Sequence, residues 1–218
     1  MKFRAVFFDL DGTLVDSLVD LTAAVNDMLS RFDRPQLSAE GVRKLVGKGA
    51  RNLVQQALDT QSADVIEQGL GLFIGYNSAH IADASRLYPG VRELLEGLAA
   101  KGVRMAVISN KNEALSRRIL EALDIEGLFE LIAGGDTFEE MKPSPLPLIR
   151  VMDALGVSAA ETVMIGDSIN DIQAGIRAGV QTIGCSWGFG DSGELEGATM
   201  RVSSCHELAS LLTLNEVA

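Results

Sequence analysis

The sequence predicts an α/β fold, a parallel sheet core carrying an inserted all-helical domain. Three observations lead there. Apolar runs rich in Val, Ile and Phe recur along the chain, as strands buried on both faces require. Helical periods fill the gaps between most of them. One stretch of about 70 residues, far longer than a strand-to-strand crossover needs, carries helical faces and no convincing strand.

In order, the strands are "RAVFF", "VRMAVIS", "LIAG", "TVMIGD" and "QTIGC". After the first strand the chain enters the insertion, whose apolar positions Leu18, Leu21, Val25 and Met28, then Leu53, Ala57 and Leu58, sit at helical spacing. It returns near Tyr88-Pro89-Gly90. In "GVRELLEGLAAKG" the residues Val91, Leu94, Leu95 and Leu98 form one face; in "NEALSRRILEALDIEG" the face is Leu115, Ile119, Leu120 and Leu123. Further helices follow "KPSP" and open at "SINDIQAG", and "SSCHELASLL" supplies a closing one. Strand and helix in alternation mean a Rossmann-like parallel sheet with right-handed crossovers. The expected division is a core of residues 1–14 and 86–218 with a helical cap at 15–85.

Composition narrows the class. Of 218 residues, 47% are hydrophobic, ample for a buried core. No run approaches the roughly 18 apolar residues of a membrane span, and the first residues lead straight into a strand that ends in acids, unlike a signal peptide. Cys185 and Cys205 make neither a disulfide framework nor a CxxC metal spacing, so a cytoplasmic location is expected. A net charge of -11 argues against nucleic acid as a partner, and an anionic substrate would need cations gathered locally. Oligomeric state has no signature here.

Ligands of parallel α/β sheets sit beyond the carboxyl ends of the strands. The residues ending each run therefore carry the information. The first strand ends at Asp9-Leu10-Asp11, whose acids alternate to one side with Leu10 on the other. "VRMAVIS" ends at Ser109, followed by Asn110 and Lys111; "TVMIGD" ends at Asp167, with Asp171 one helical turn on; and Lys142 lies in "KPSP". Singly, an Asp there is an ordinary helix N-cap and Lys142 a surface residue. Together they bring four carboxylates, a hydroxyl and an ammonium to one rim. Two unit charges about 4 Å apart repel by roughly 4 kcal/mol at an effective dielectric of about 20, so something must offset them.

"DLDGTLVDS", "VISNK", "KPSP" and "GDSIND", in that order, resemble the four signature motifs of the haloacid dehalogenase-like hydrolases, and within them the phosphoglycolate phosphatase group. About 33 residues from Ser109 to Lys142 leave no space for a second kind of cap inserted there. The chain departs from the group in having Ser109 where Thr is common and Asn112 where Pro is frequent.

The resemblance implies a phosphomonoester hydrolase acting on a small phosphorylated metabolite, 2-phosphoglycolate among the candidates. It makes Asp9 the nucleophile and Asp11 the acid and base. It implies a metal held by Asp9 and Asp167 carboxylates and the Asp11 carbonyl, with Asp171 behind them. Oxygen donors without His or Cys favour Mg2+ over Zn2+. Thr13, Ser109, Asn110 and Lys142 are the expected phosphate contacts. In the cap, "KLVGKGARNLV" offers Gly47, Lys48, Gly49 and Arg51 as substrate contacts at a helix N-terminus. A sugar-phosphate mutase, a pyrophosphatase of the same fold and a non-catalytic phosphate-binding module are the alternatives. The mutase shares all four motifs, yet the early cap histidine such an enzyme usually offers has only His80, at the end of the insertion, as its counterpart.

Overall fold

A computed structural model describes residues 3–213. Six strands form one parallel sheet: β1 (Ala5–Phe8), β4 (Arg104–Ile108), β5 (Leu131–Ala133), β6 (Thr162–Gly166), β7 (Gln181–Cys185) and β8 (Met200–Val202). Their order is β5-β4-β1-β6-β7-β8. The chain runs outward from β1 through β4 to β5, then returns to the other side of β1 for β6. That reversal creates the crevice in which such sheets bind ligands.

Alternation along β1 divides the core. Val6, Phe8 and the following Leu10 join one hydrophobic layer, with α5 (Val91–Ala100), α6 (Glu113–Ala122) and α9 (Cys205–Thr213). Ala5 and Phe7 join the opposite layer, against α7 (Leu146–Leu155) and α8 (Ile169–Ala178). The expected faces are buried: Val91, Leu94, Leu95 and Leu98 on α5, and Leu115, Ile119 and Leu120 on α6, with Leu123 half-buried just past its end.

Between β1 and α5 lie four helices, α1 (Leu18–Arg31), α2 (Ala39–Arg43), α3 (Ala50–Leu58) and α4 (Ala63–Ala79). They enclose a hydrophobic cluster of their own around Val25, Met28, Val54 and Phe73. At their root a two-stranded antiparallel ribbon, β2 (Val15–Asp16) with β3 (Arg86–Leu87), joins the outgoing and returning chain. Asp20 fastens the same place, its carboxylate accepting from the Ala84 and Ser85 amides and the Ser85 hydroxyl. The sequence reading did not anticipate this ribbon or the edge strand β8, and it located no faces for α2 and α4. No described helix is long and apolar enough to cross a membrane.

Candidate active site

The loops after β1, β4, β5 and β6 meet at one rim. Asp9 follows β1, Ser109 follows β4, Asp167 follows β6, and Lys142 stands in the loop between β5 and α7. Asp9, Asp167 and Asp171 each present a carboxylate oxygen, and these atoms lie within 4.8 Å of one another. Lys142, 3% exposed, donates to Asp9 Oδ1 at 2.8 Å and to Asp171 Oδ1 at 2.6 Å. Asp171 also accepts from the Ser168 amide and hydroxyl, closing the N-terminus of α8.

Charge is concentrated here at a cost that shows in the acidities. Burial pushes the Asp9 carboxyl up to about 6 despite the Lys142 ammonium beside it. Burial, then the Asp9 and Asp171 charges, push Asp167 up to about 8. For Lys142 burial works downward, but Asp171 and Asp9 outweigh it and hold the ammonium above its ordinary value.

Asp167 is held from three sides. Thr13 Oγ1 donates to Oδ1 at 2.9 Å, and the Phe189 and Gly190 amides donate to Oδ2 at 2.7 and 3.2 Å. Thr13, expected against phosphate, thus spends its hydroxyl on Asp167. Gly12 (φ +90°) passes so close that a Cβ there would lie 2.4 Å from Asp167 Oδ2. Only glycine allows that turn to approach the carboxylate.

The Asp11 carboxylate turns elsewhere. Ser17 Oγ donates to it at 2.5 Å, and Lys111 Nζ stands 3.2 Å from Oδ2. Asp9, Asp167 and Asp171 thus face one another, two of them bridged by Lys142, while Asp11 is matched by the Lys111 ammonium. Ser109 Oγ accepts from the Lys111 amide at 3.2 Å. Asn110 donates from Nδ2 to the carbonyls of Gly47 and Lys142, leaving its buried Oδ1 without a partner among the described residues.

The helical insertion closes over this rim. Gly47 (φ +103°) turns its carbonyl to Asn110 and to Asn170 Nδ2, at 2.9 and 3.1 Å. Arg43 reaches the Phe189 carbonyl and donates to Asp191 Oδ1 at 3.0 Å. Two cavities lie beneath, both touching Asp9 and Asp11. One of about 60 Å³ includes Gly47, Gly49, Ser109, Asn110 and Lys142 in its wall; the other, about 250 Å³, is lined also by Lys48, Arg43 and Asp167. Arg51 pairs instead with Glu67 and lines neither of them. Trp187 donates from Nε1 to the Thr13 carbonyl at 3.1 Å.

Sequence reasoning passed over Lys111, Ser17, Asn170 and Arg43 as site residues. Lys111 had a signal, two residues past Ser109 on the same strand end. Ser17 and Asn170 also had one, standing within the "DLDGTLVDS" and "GDSIND" stretches; Arg43 meets the rim only through folding of the insertion and of the loop after β7.

Three carboxylate oxygens and, among the described residues, no His or Cys donor beside them suit a hard divalent cation such as Mg2+. The raised pKa values of Asp9 and Asp167 fit the same ion, since a bound cation relieves what burial and mutual repulsion impose.

Residues 6–185 match the family described as haloacid dehalogenase-like hydrolase. A phosphoglycolate phosphatase of Chromobacterium violaceum is 40% identical over 214 residues, covering 96% of each chain. One of Pseudomonas putida is 44% identical over 193 residues, 85% of this chain and 70% of that one. The crystal structure of a predicted phosphoglycolate phosphatase from Haemophilus somnus superposes with a TM-score of 0.92 at 32% identity, covering 99% of both chains. The chain belongs to the haloacid dehalogenase-like hydrolase family, and within it to the phosphoglycolate phosphatase-like group.

Proposed function

We propose that this protein is a phosphatase that hydrolyses a short phosphomonoester, 2-phosphoglycolate being the foremost candidate, through an aspartyl-phosphate on Asp9. The observation that carries the reading is the buried Lys142, which bridges Asp9 and Asp171 beside a third carboxylate while Asp11 stands apart against Lys111 and Ser17. Two acids one residue apart thus have separate surroundings, as separate roles demand. The names of the relatives support the substrate.

In the first half-reaction an Asp9 oxygen attacks phosphorus and the ester P–O bond breaks. Asp11 gives its proton to the departing alkoxide. In the second, Asp11 takes a proton from water, whose oxygen attacks phosphorus; inorganic phosphate leaves and the Asp9 carboxylate is restored. Lys142 holds Asp9 in place and adds positive charge near the phosphoryl oxygens, and the Ser109 hydroxyl is positioned to donate to one of them. Asp9 and Asp167 would hold Mg2+, with the Asp11 main-chain carbonyl as a further donor and Asp171, engaged by Lys142 and Ser168, behind them. When bound, the ion offsets the repulsion between the phosphoryl anion and these carboxylates. The insertion acts as a cap that excludes water and meets the leaving group through Gly47 and Gly49, with Lys48 at the larger cavity. A cytoplasmic setting and the boundaries 15–85 for the cap belong to the same proposal.

The test is release of phosphate from 2-phosphoglycolate, glucose 1-phosphate, a nucleoside monophosphate and pyrophosphate, with Mg2+ and with chelator. We expect metal-dependent release, fastest for 2-phosphoglycolate. Asp9→Asn should lower it by about four orders of magnitude or more, as loss of a nucleophile does. Near-normal single-turnover hydrolysis by Asp9→Asn would refute the covalent route. Interconversion of glucose 1-phosphate without phosphate release would identify a mutase instead.

A further inference from the structure

The smaller cavity has a second pole beneath the helical insertion. Leu21 of α1, Leu53 of α3, Phe73 of α4 and Leu115 of α6 make it apolar there. Into the same wall α4 brings Asn77, 2% exposed, whose Oδ1 has no hydrogen-bond partner among the described residues. A buried amide with an unpaired end is destabilising, and an aliphatic side chain would fill that space without the cost. Its neighbour Ser78 is gripped by Arg118, which presses this end of α4 onto α6. Lys111 lines the same cavity, its side chain 7% exposed and its ammonium held 3.2 Å from Asp11.

We infer that Asn77 is a specificity-determining residue: it hydrogen-bonds an acidic group at the far end of a short leaving group, and Lys111 supplies the balancing charge. The inference rests on the phosphatase reading and deepens it. A half-turn of the amide exchanges its carbonyl and amino ends, so the orphaned end can meet either an acceptor or a donor. The Lys111 ammonium lining the same cavity favours an anionic acceptor. The apolar remainder of the wall packs around the short carbon chain. An acid that fails to find both groups leaves buried polar atoms unpaired, which makes such a site selective.

The experiment compares 2-phosphoglycolate with ethyl phosphate, an ester of the same carbon count without the acid. Wild-type protein should prefer the acid in kcat/KM. In Asn77→Leu the ratio of the two kcat/KM values should fall roughly tenfold to a hundredfold, the loss of a hydrogen bond to a charged group, and the change should lie in KM more than in kcat. Asn77→Ser reports the same ratio should the Leu variant fail to fold. If wild-type protein hydrolyses the two esters equally, or if the ratio survives substitution, the role of Asn77 is refuted while the phosphatase reading stands. If wild-type protein releases phosphate from neither ester, the phosphatase reading falls and takes this role with it.

Discussion

At the residue scale the site is a set of buried acids kept in tension. Asp9 rises from 3.8 to about 6 and Asp167 from 3.8 to about 8, burial leading in both. Between about pH 4 and pH 8 the folded protein therefore keeps protons that the unfolded chain has shed. Stability rises with pH only where the unfolded state binds more protons, so here it must fall as pH rises. With a chelator present, the melting temperature should drop between about pH 5 and pH 8. Mg2+ competes with those protons and should raise it more at pH 8 than at pH 5. Thermal melts with and without the ion would show it, and a Mg2+ increment independent of pH would refute the account. The acids themselves were legible in the sequence, since Asp9, Asp167 and Lys142 terminate or follow apolar strands. Their partners were less so. That Thr13 serves Asp167, and that Lys111 serves Asp11, depends on how each loop turns after its strand ends, and no periodicity records that.

At the scale of elements, legibility followed burial. β1, β4, β5, β6 and β7 are apolar runs covered by helices, and each was readable. β8 was not, because Met200 and Arg201 lie partly or fully exposed at the sheet edge and only Val202 is buried. The ribbon of β2 and β3 has two residues in each strand, too short for alternation to register. Helices α1 and α3 advertised their apolar faces, and those faces pack together with Phe73 of α4 in a core separate from the sheet layers. Met28 is fully buried in it. Met28→Ala should cost about 2–5 kcal/mol, the usual penalty for a buried Met-to-Ala truncation, measured by urea unfolding. A loss below about 0.5 kcal/mol, typical of a surface site, would mean that this cluster does not hold the helices together.

At the scale of the whole molecule, the insertion rests on the sheet rim through polar contacts drawn from distant segments. Gly47 meets Asn110 and Asn170, and Arg43 meets Phe189 and Asp191. Phe189 in turn donates its amide to Asp167, so the Arg43 contact runs into the carboxylate cluster. Arg43→Ala should loosen closure and raise KM several-fold, with a smaller effect on kcat and on melting temperature, as loss of a partly exposed ion pair implies. Steady-state kinetics beside a thermal melt separate the two; an unchanged KM would refute it. This closure was hidden in the sequence because it pairs residues about 150 positions apart through backbone carbonyls, which any residue possesses.

The Trp187 ring, 6.4 Å from Tyr88 and bonded to the Thr13 carbonyl, is the chain's one tryptophan. Thr13 leads directly to Asp167. The protein consequently contains its own optical reporter: ultraviolet emission from that indole should shift when Mg2+ is titrated into chelator-treated protein, and Asp167→Asn should silence the response without any dye attached.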